Sequence, residues 1–471
     1  MYWVTIAGLS SAMSIFAPFK SNNPLLSVFY VTVFYAGCHA VITQTLYPHM
    51  ATMTHVKRKI ITEPPGPAAR RIIDIIKRNC YYSTFTYPLV IADGRGCLIQ
   101  DVDGNLFLDF TSNIGSCPLG YSHPEIMHVL AGHSKNGAHK IAGQDFYCKE
   151  HAELSQKVMS IVPEGFKAFF INSGAEAVEN AIKIAYRKTS KETPSTLPGI
   201  SCINAFHGRT LGALSFTFSK PVQKSRFPQL PVLRIKFCTS DGDPEVDAAE
   251  KLLRENNKVA FILSEVVQGE GGYNIASRKF IQTLRKCADR HGVPLILDEV
   301  QSGMGRTGKW WAFEHYGIRP DIMSAAKALQ VGMAAYDDRL DPGERGALSS
   351  TWGGGSRIDM AVGAKIIEVI KKDKLLRNAA IMGEKLKKGI ISELSGKKNS
   401  RIIDVRGLGL MIGIEFGTKA DRDAKLNRAF KKGLLLLPAG QKAMRVIPPL
   451  IITEKEADEG LQVMGEAFLS G

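Results

Sequence analysis

The pattern of hydrophobic and polar positions predicts a long apolar N-terminal segment followed by amphipathic elements. Residues 1–19 and 24–49 are uncharged apolar stretches, each near the ~20 residues that span a bilayer. From about Lys57 the pattern becomes amphipathic, and a proline-rich run precedes a predicted helix over 68–76. An Asp-Val-Asp-Gly-Asn run at 101–105 lies between two apolar runs and predicts a hairpin turn.

Between about residue 120 and residue 360, short apolar runs alternate with runs of helical periodicity. The predicted strands are 168–171, 259–263 and 293–297, and the predicted helices are 174–187 and 280–291. This alternation predicts an α/β fold in which helices cover a large, mainly parallel sheet. Beyond this region, long helices and then shorter strands around 409–416 and 433–438 predict a smaller α+β domain.

These changes of pattern define the predicted domains. We expect an apolar extension at 1–55, the N-terminal part of a small domain at 56–115, a large domain at 116–360 and the C-terminal small domain at 361–471. The extension is either a membrane-anchoring hairpin or a segment absent from the mature protein, with an internal start at Met50 or Met53. A signal peptide is disfavoured because no basic region precedes the first apolar stretch.

Composition narrows the classes of partner. The net charge is +15, from 60 basic and 45 acidic residues, but the basic residues are scattered and no nucleic-acid recognition motif accompanies them. We therefore expect no nucleic-acid partner, and a basic surface that at most attracts anionic small molecules. Membrane contact is expected only through residues 1–50.

The cysteines favour a reducing compartment and no metal site. None forms a Cys-x-x-Cys pair, and no Cys/His cluster has the spacing of zinc ligands. The eight cysteines are Cys38, Cys80, Cys97, Cys117, Cys148, Cys202, Cys238 and Cys287. Such dispersed thiols are typical of a cytoplasmic enzyme, with a membrane-anchored enzyme as the alternative.

Candidate chemistry lies where apolar strands end. The Asn-Ser-Gly-Ala-Glu run at 172–176 marks a strand-to-helix turn, where Gly174 permits close approach and helix amides attract phosphate. Asp298 and Glu299 follow an apolar strand, where a carboxylate could pair with a protonated pyridine nitrogen. Lys327 lies among small residues, and burial of its side chain would favour the neutral amine. Taken singly, the 172–176 run could be an ordinary tight turn, the two acids could be solvated, and Lys327 could reach water. The order of the three features along the chain favours a single shared site.

The motifs resemble those of the class III (ω-amino acid) aminotransferases of pyridoxal-phosphate fold type I, from about Lys57 to the C-terminus. Matching runs include Phe-His-Gly-Arg-Thr at 206–210 and Ser-Thr-Trp-Gly-Gly at 350–354, and Glu-Val-Val-Gln-Gly-Glu-Gly-Gly at 265–272 differs by Val266 in place of proline. Gly-Ser at 355–356 replaces a common Asn-Pro.

The resemblance implies a pyridoxal 5′-phosphate cofactor and a role for each matching residue. Lys327 would be the catalytic Schiff-base lysine, Phe206 would stack on the ring, and Asp298 and Gln301 would contact the ring nitrogen and hydroxyl. The phosphate would be bound by the amides of Gly174 and Ala175, and by Thr351 of a neighbouring subunit. This last contact implies a homodimer or higher homo-oligomer.

Substrate contacts are also implied by the resemblance. Arg445 would bind the α-carboxylate of the oxo acid, Arg209 would bind a distal carboxylate, and Glu270 would pair with Arg209 when that carboxylate is absent. Ile114 lies in a stretch similar to the pocket lining of 4-aminobutyrate aminotransferases, whereas residues 349–360 are closer to lysine 6-aminotransferases.

The resemblance implies a ping-pong transamination between an ω-amino acid and 2-oxoglutarate. The leading candidate for the amino donor is 4-aminobutyrate. Ornithine, lysine and acetylornithine remain alternative donors, and an amino-acid racemase would use the same lysine and cofactor. A regulatory or scaffold protein on this fold is disfavoured, because Lys327 is present and no helix-turn-helix accompanies it.

Overall fold

The computed structural model describes residues 57–81, 86–136, 146–190, 197–255, 258–350 and 354–470. The apolar stretches of residues 1–50, the alternative starts Met50 and Met53, and the predicted phosphate ligand Thr351 lie outside the described residues. No helix in the described part of the chain is long and apolar enough to cross a membrane.

Helices and short strands alternate along these residues. The helices are α1 (Pro67–Asn79), α2 (Ser112–Gly115), α3 (Pro124–Lys135), α4 (Lys149–Met159), α5 (Gly174–Thr189), α6 (Leu211–Ser215), α7 (Ala248–Glu255), α8 (Arg278–His291), α9 (Arg357–Lys372), α10 (Leu375–Gly389), α11 (Lys419–Lys431) and α12 (Glu454–Leu469). The strands are β1 (Ile91–Arg95), β2 (Leu98–Asp101), β3 (Leu106–Asp109), β4 (Phe166–Ile171), β5 (Gly199–Cys202), β6 (Val232–Ile235), β7 (Phe261–Glu265), β8 (Val267–Gln268), β9 (Asn274–Ile275), β10 (Leu295–Asp298), β11 (Ile322–Ala325), β12 (Gly332–Asp337), β13 (Ile402–Leu408), β14 (Met411–Phe416), β15 (Leu434–Leu435), β16 (Leu437–Ala439) and β17 (Ala443–Val446).

The large sheet is mainly parallel, as the sequence predicts. Its seven strands lie in the order β4-β12-β11-β10-β7-β5-β6. The strands from β11 to β6 are parallel, whereas β12 runs antiparallel to both β11 and β4. The connection from β11 to β12 is too short for the crossover that parallel neighbours need. Every residue of β7, β10, β11 and β12 is buried, which is expected of strands covered on both faces.

The flanking helices form where polar capping and apolar spacing coincide. In α8 the Ser277 side chain accepts a hydrogen bond from the amide of Phe280, and Gly292 ends the helix at a φ of 65°. The predicted helix after the prolines is confirmed as α1, and the predicted hairpin as β2 and β3. The two are joined, because the turn residue Asp103 accepts hydrogen bonds from the first amides of α1, at Ala68 and Ala69.

The remaining strands form smaller sheets. The order β13-β14-β17-β16 is antiparallel throughout, and it places Arg445 on a buried strand opposite Gly413. In the other four-stranded sheet, Leu434 of β15 pairs with Leu108 of β3 in parallel. On the basis of this pairing, we propose that residues 56–115 and 361–471 form one small domain.

Candidate active site

A cavity of about 510 Å³ lies at the carboxyl ends of β4, β7, β10 and β11. Ligands of open α/β sheets bind at this end, where loops carry side chains over the strands. The cavity is lined by the predicted site residues Gly174, Ala175, Phe206, Arg209, Glu270, Asp298, Gln301 and Lys327. Residues from separate motifs of the sequence therefore face a single space.

One wall of the cavity is the start of α5. The Ser173 side chain accepts from the amide of Glu176 at 3.2 Å, and the first amides of the helix have no acceptor within it. A Cβ at Gly174 would lie 2.8 Å from the Val300 side chain, so glycine is needed for this close approach. The open amides and the positive end of the helix dipole form a cradle suited to a phosphate.

Asp298 and Glu299, adjacent at the end of β10, point in different directions. Asp298 lines the cavity. Glu299 is not part of the cavity lining, and it accepts hydrogen bonds from the Ser302 hydroxyl and the Phe313 amide. Burial raises the pKa of Glu299 to about 7, which fits a packing role for this carboxyl.

Asp298 is held in position by a buried hydrogen-bond network. Its Oδ2 lies 2.8 Å from Nδ1 of His207, and its Oδ1 accepts from the Ser324 hydroxyl and the Val300 amide at 3.1 and 3.0 Å. His207 and Ser324 were not predicted as partners of Asp298, although His207 belongs to the Phe-His-Gly-Arg-Thr motif. These contacts keep a carboxylate in the cavity wall, where it suits a protonated ring nitrogen.

A further buried carboxyl, Glu265, lies beside Asp298, at the paired position of the neighbouring strand β7. It accepts hydrogen bonds from the amides of Phe206 and Gly269 at 3.1 and 2.8 Å, and burial raises its pKa to about 7. Nearby, Oε1 of Gln301 is buried without a hydrogen-bond partner among the described residues. Such an orphaned acceptor suits the hydroxyl of a bound ring, since a buried polar atom without a partner is costly.

Lys327 follows β11 and reaches the cavity from a turn with an unusual backbone. Its φ is 44°, and burial lowers the pKa of its ammonium group to about 8, against the opposing effect of Glu270. A substantial fraction of this amine is therefore neutral near physiological pH, as a nucleophile that attacks an aldehyde requires.

The predicted pairing of Glu270 with Arg209 is wrong. Oε1 of Glu270 lies 2.7 Å from Nη1 of Arg445, which is 5% exposed. Burial alone would raise the pKa of Glu270, but Arg445 outweighs it and holds that pKa below its ordinary value. Arg209 instead lies with its guanidinium 5.6 Å from the centre of the Phe206 ring, and no carboxylate of the described residues forms an ion pair with it.

Two predicted substrate-binding residues, Ile114 and Arg445, are not part of the cavity lining. Ile114 is 40% exposed, whereas Ser116, two residues along, does line the cavity. The Gly-Ser pair at 355–356 has a structural role, since Ser356 caps α9 by accepting from the amide of Asp359, and Gly355 has a φ of 113°.

Taken together, the helix cradle, the held Asp298, the orphaned oxygen of Gln301 and the neutral-prone Lys327 fit pyridoxal phosphate. Each supplies one contact that the cofactor's chemistry requires: an anion site, a ring-nitrogen partner, a hydroxyl partner and an amine.

Comparison with known proteins identifies the family. The model of the family described as aminotransferase class-III matches residues 80–468. An acetylornithine aminotransferase of Nostoc sp. is 34% identical over 81% of this chain and 90% of its own length. The structure resembles a lysine aminotransferase from M. tuberculosis, with a TM-score of 0.78, 27% identity and coverage of 85% of this chain and 98% of that one. It also resembles the ornithine aminotransferase from Toxoplasma gondii, with a TM-score of 0.77, 27% identity and coverage of 85% and 95%. The chain therefore belongs to the class III aminotransferases, enzymes of fold type I that depend on pyridoxal phosphate.

Proposed function

We propose that this enzyme transfers the terminal amino group of a basic amino acid or its N-acyl derivative to 2-oxoglutarate. N-Acetylornithine is the first candidate donor, and ornithine and lysine follow it. The names of the relatives support this order, since they are acetylornithine, lysine and ornithine aminotransferases. 4-Aminobutyrate, which the stretch around Ile114 favours, ranks after these three donors.

The observation that carries the proposal is the unequal state of two arginines. Arg209 lines the cavity without a carboxylate partner in the described part of the chain, whereas the charge of Arg445 is neutralised by Glu270. A donor with one carboxylate can pair with Arg209 while the ion pair of Arg445 stays closed. A dicarboxylate acceptor offers a second carboxylate, which can replace Glu270 on Arg445. One cavity can thus accept both kinds of substrate in turn.

Bound pyridoxal phosphate supplies an aldehyde carbon that bonds to amines and a ring that accepts electron density from the neighbouring carbon. Protein residues would bind and orient it: the amides of Gly174 and Ala175 would hold the phosphate, Phe206 would lie against the ring, and Asp298 would pair with the ring nitrogen. Asp298 keeps its orientation because His207 holds its second oxygen.

Lys327 is the residue we assign to proton transfer. With the cofactor bound, its Nζ would be placed to take the proton from the carbon that bears the donor's amino group and to release it again. The lowered pKa suits this exchange, because an amine that titrates near about 8 can both accept and release a proton at neutral pH. Whether the proton returns to a different carbon or to the same one separates transamination from racemisation.

We also propose an active unit of at least two subunits and a cytoplasmic location. The first rests on the resemblance of the segment around Thr351 to one that reaches a neighbouring cofactor. The second is supported by the cysteines, since all seven in the described residues are free thiols.

The test is a panel of donors with 2-oxoglutarate, in which glutamate formation and donor chirality are followed together. We expect glutamate from N-acetylornithine at the highest kcat/KM, then from ornithine and lysine, and little from 4-aminobutyrate. A highest value for 4-aminobutyrate would overturn the donor order. Loss of optical activity without any need for 2-oxoglutarate would instead identify a racemase.

A further inference from the structure

The turn between β11 and β12 carries a glutamine that joins two parts of the cavity wall. Nε2 of Gln330 donates to the carbonyl of Ser116 at 2.8 Å and to the carbonyl of Lys327 at 2.9 Å. All three residues line the cavity. Because a primary amide has two N–H groups, one side chain can make both hydrogen bonds.

On one side of this bridge is the backbone of Lys327. Lys327 has a φ of 44°, and its carbonyl also accepts from the backbone amide of Gln330 at 2.9 Å. A residue with a side chain adopts positive φ only when surrounding contacts enforce it. The bridge is one such contact, and it fixes the orientation of the peptide from which the Lys327 side chain extends.

On the other side is α2, a single turn in which the backbone of Asn113 and Ile114 is left-handed rather than α-helical. Ser112, Asn113 and Ile114 have φ values of 37°, 49° and 60° in succession, which is costly for residues with a Cβ. The turn is held by the Ser112 hydroxyl, which donates to the carbonyl of Ile447, and by the Ser116 hydroxyl, which donates to that of Asn113. Gln330 fixes the end of this turn at Ser116.

We propose that Gln330 is a positioning residue that couples the turn carrying Ile114 to the orientation of Lys327. A substrate that contacts the turn is then presented to an amine whose position depends on the same side chain. The inference rests on the role proposed above for Lys327 and adds a residue that the sequence motifs do not mark.

The chemistry of the bridge suggests the variants. Gln330→Glu keeps the size of the side chain and removes both N–H donors. Gln330→Gly removes the bridge but suits the φ of 69° at this position, so it preserves the fold. Gln282→Glu is the matched control, because Gln282 lies in α8, outside the cavity lining, and its Nε2 donates to the carbonyl of Tyr316.

The measurements are kcat and KM with the best donor, and the pH midpoint of the visible absorbance of the resting holoenzyme. We expect both Gln330 variants to lower kcat about tenfold or more, since small misplacements of a reacting group are costly. The pH midpoint should move in both variants and stay at the wild-type value in Gln282→Glu. An unchanged midpoint and kcat in Gln330→Glu would overturn the proposal.

A double-mutant cycle tests the coupling itself. Ser116→Ala, which removes the hydroxyl that holds the turn, and Gln330→Gly, alone and combined, should give losses of kcat/KM that depart from additivity by about threefold or more. Additive losses would show that the two residues act independently and would contradict the inference. Absence of transaminase activity in the wild-type enzyme would contradict the proposed function. An active wild type whose Gln330 variants keep the same kcat and pH midpoint would contradict only this coupling.

Discussion

Glu270 pairs with Arg445, with 2.7 Å between Oε1 and Nη1, and leaves Arg209 without a carboxylate partner among the described residues. A substrate therefore meets a positive charge at Arg209 and a neutralised ion pair at Arg445. A buried cation that is neutralised by a side chain can exchange that partner for a substrate carboxylate, whereas an open cation is ready for the first carboxylate that enters.

Replacement of Glu270 by glutamine should change substrate preference. Arg445 would lose its counter-charge and would attract carboxylates in both half-reactions. We expect the KM for 2-oxoglutarate to fall and the kcat/KM for N-acetylornithine to fall, so that the preference shifts roughly tenfold or more towards the dicarboxylate. Steady-state kinetics with each substrate varied in turn measure this shift.

The control is Glu150→Gln, because Glu150 forms a similar ion pair with Arg357 outside the cavity lining. This variant should alter stability but not the ratio of the two substrates. Equal changes in both variants would mean that Glu270 has no selective role.

Arg209→Lys and Arg209→Ala should distinguish charge from geometry. The alanine variant should lose roughly 10- to 100-fold in kcat/KM for carboxylate donors, the equivalent of ~1.5–3 kcal/mol for a charged hydrogen bond. The kcat/KM for a simple diamine without a carboxylate should fall much less in Arg209→Ala. Arg209→Lys should recover part of the kcat/KM for carboxylate donors, because it keeps the charge. If the diamine and N-acetylornithine are affected equally, Arg209 does not bind the donor carboxylate.

Asp298→Asn should weaken retention of the cofactor and lower kcat. Loss of the carboxylate removes a charged hydrogen bond of ~1.5–3 kcal/mol, or roughly 10- to 100-fold in affinity for the cofactor. Dialysis followed by absorbance of the retained cofactor measures this. Glu299→Gln is the matched control, since Glu299 is the next residue and is not part of the cavity lining; it should retain the cofactor as the wild type does.

The pH dependence of cofactor uptake should report the state of Lys327. Because burial lowers its pKa to about 8, the neutral amine is the minor form below that pH and the major form above it. The rate at which the apoenzyme takes up pyridoxal phosphate should rise about tenfold per pH unit below about 8 and level off above it. A midpoint near ~10, the value of a solvated lysine, would contradict the burial of this group.

The elements most accessible from sequence are those with local signatures. The helix after the prolines, the 101–105 hairpin and the parallel core follow from turn residues and periodicity, which act over a few residues. The antiparallel insertion of β12 between β4 and β11 was not predicted. The direction of β12 depends on how the short connection from β11 folds back in the packed sheet, and the sequence of the strand alone does not determine it.

The site shows the same division. Motif order indicated which residues would meet, and the structure gathers eight of them around one cavity. Pairings between them were harder, because the partner of Glu270 is set by the approach of β17 to the loop after β8 and not by spacing in the chain. His207 was visible in its motif, but its residue type alone did not identify Asp298 as its partner.

The most direct test of the account is to identify the lysine bonded to the cofactor. Borohydride reduction of the resting holoenzyme makes that bond permanent, and peptide mass spectrometry then locates the added pyridoxyl group. We expect the label on Lys327 and its disappearance in Lys327→Ala. A label on any other lysine, or one that persists in Lys327→Ala, would contradict it.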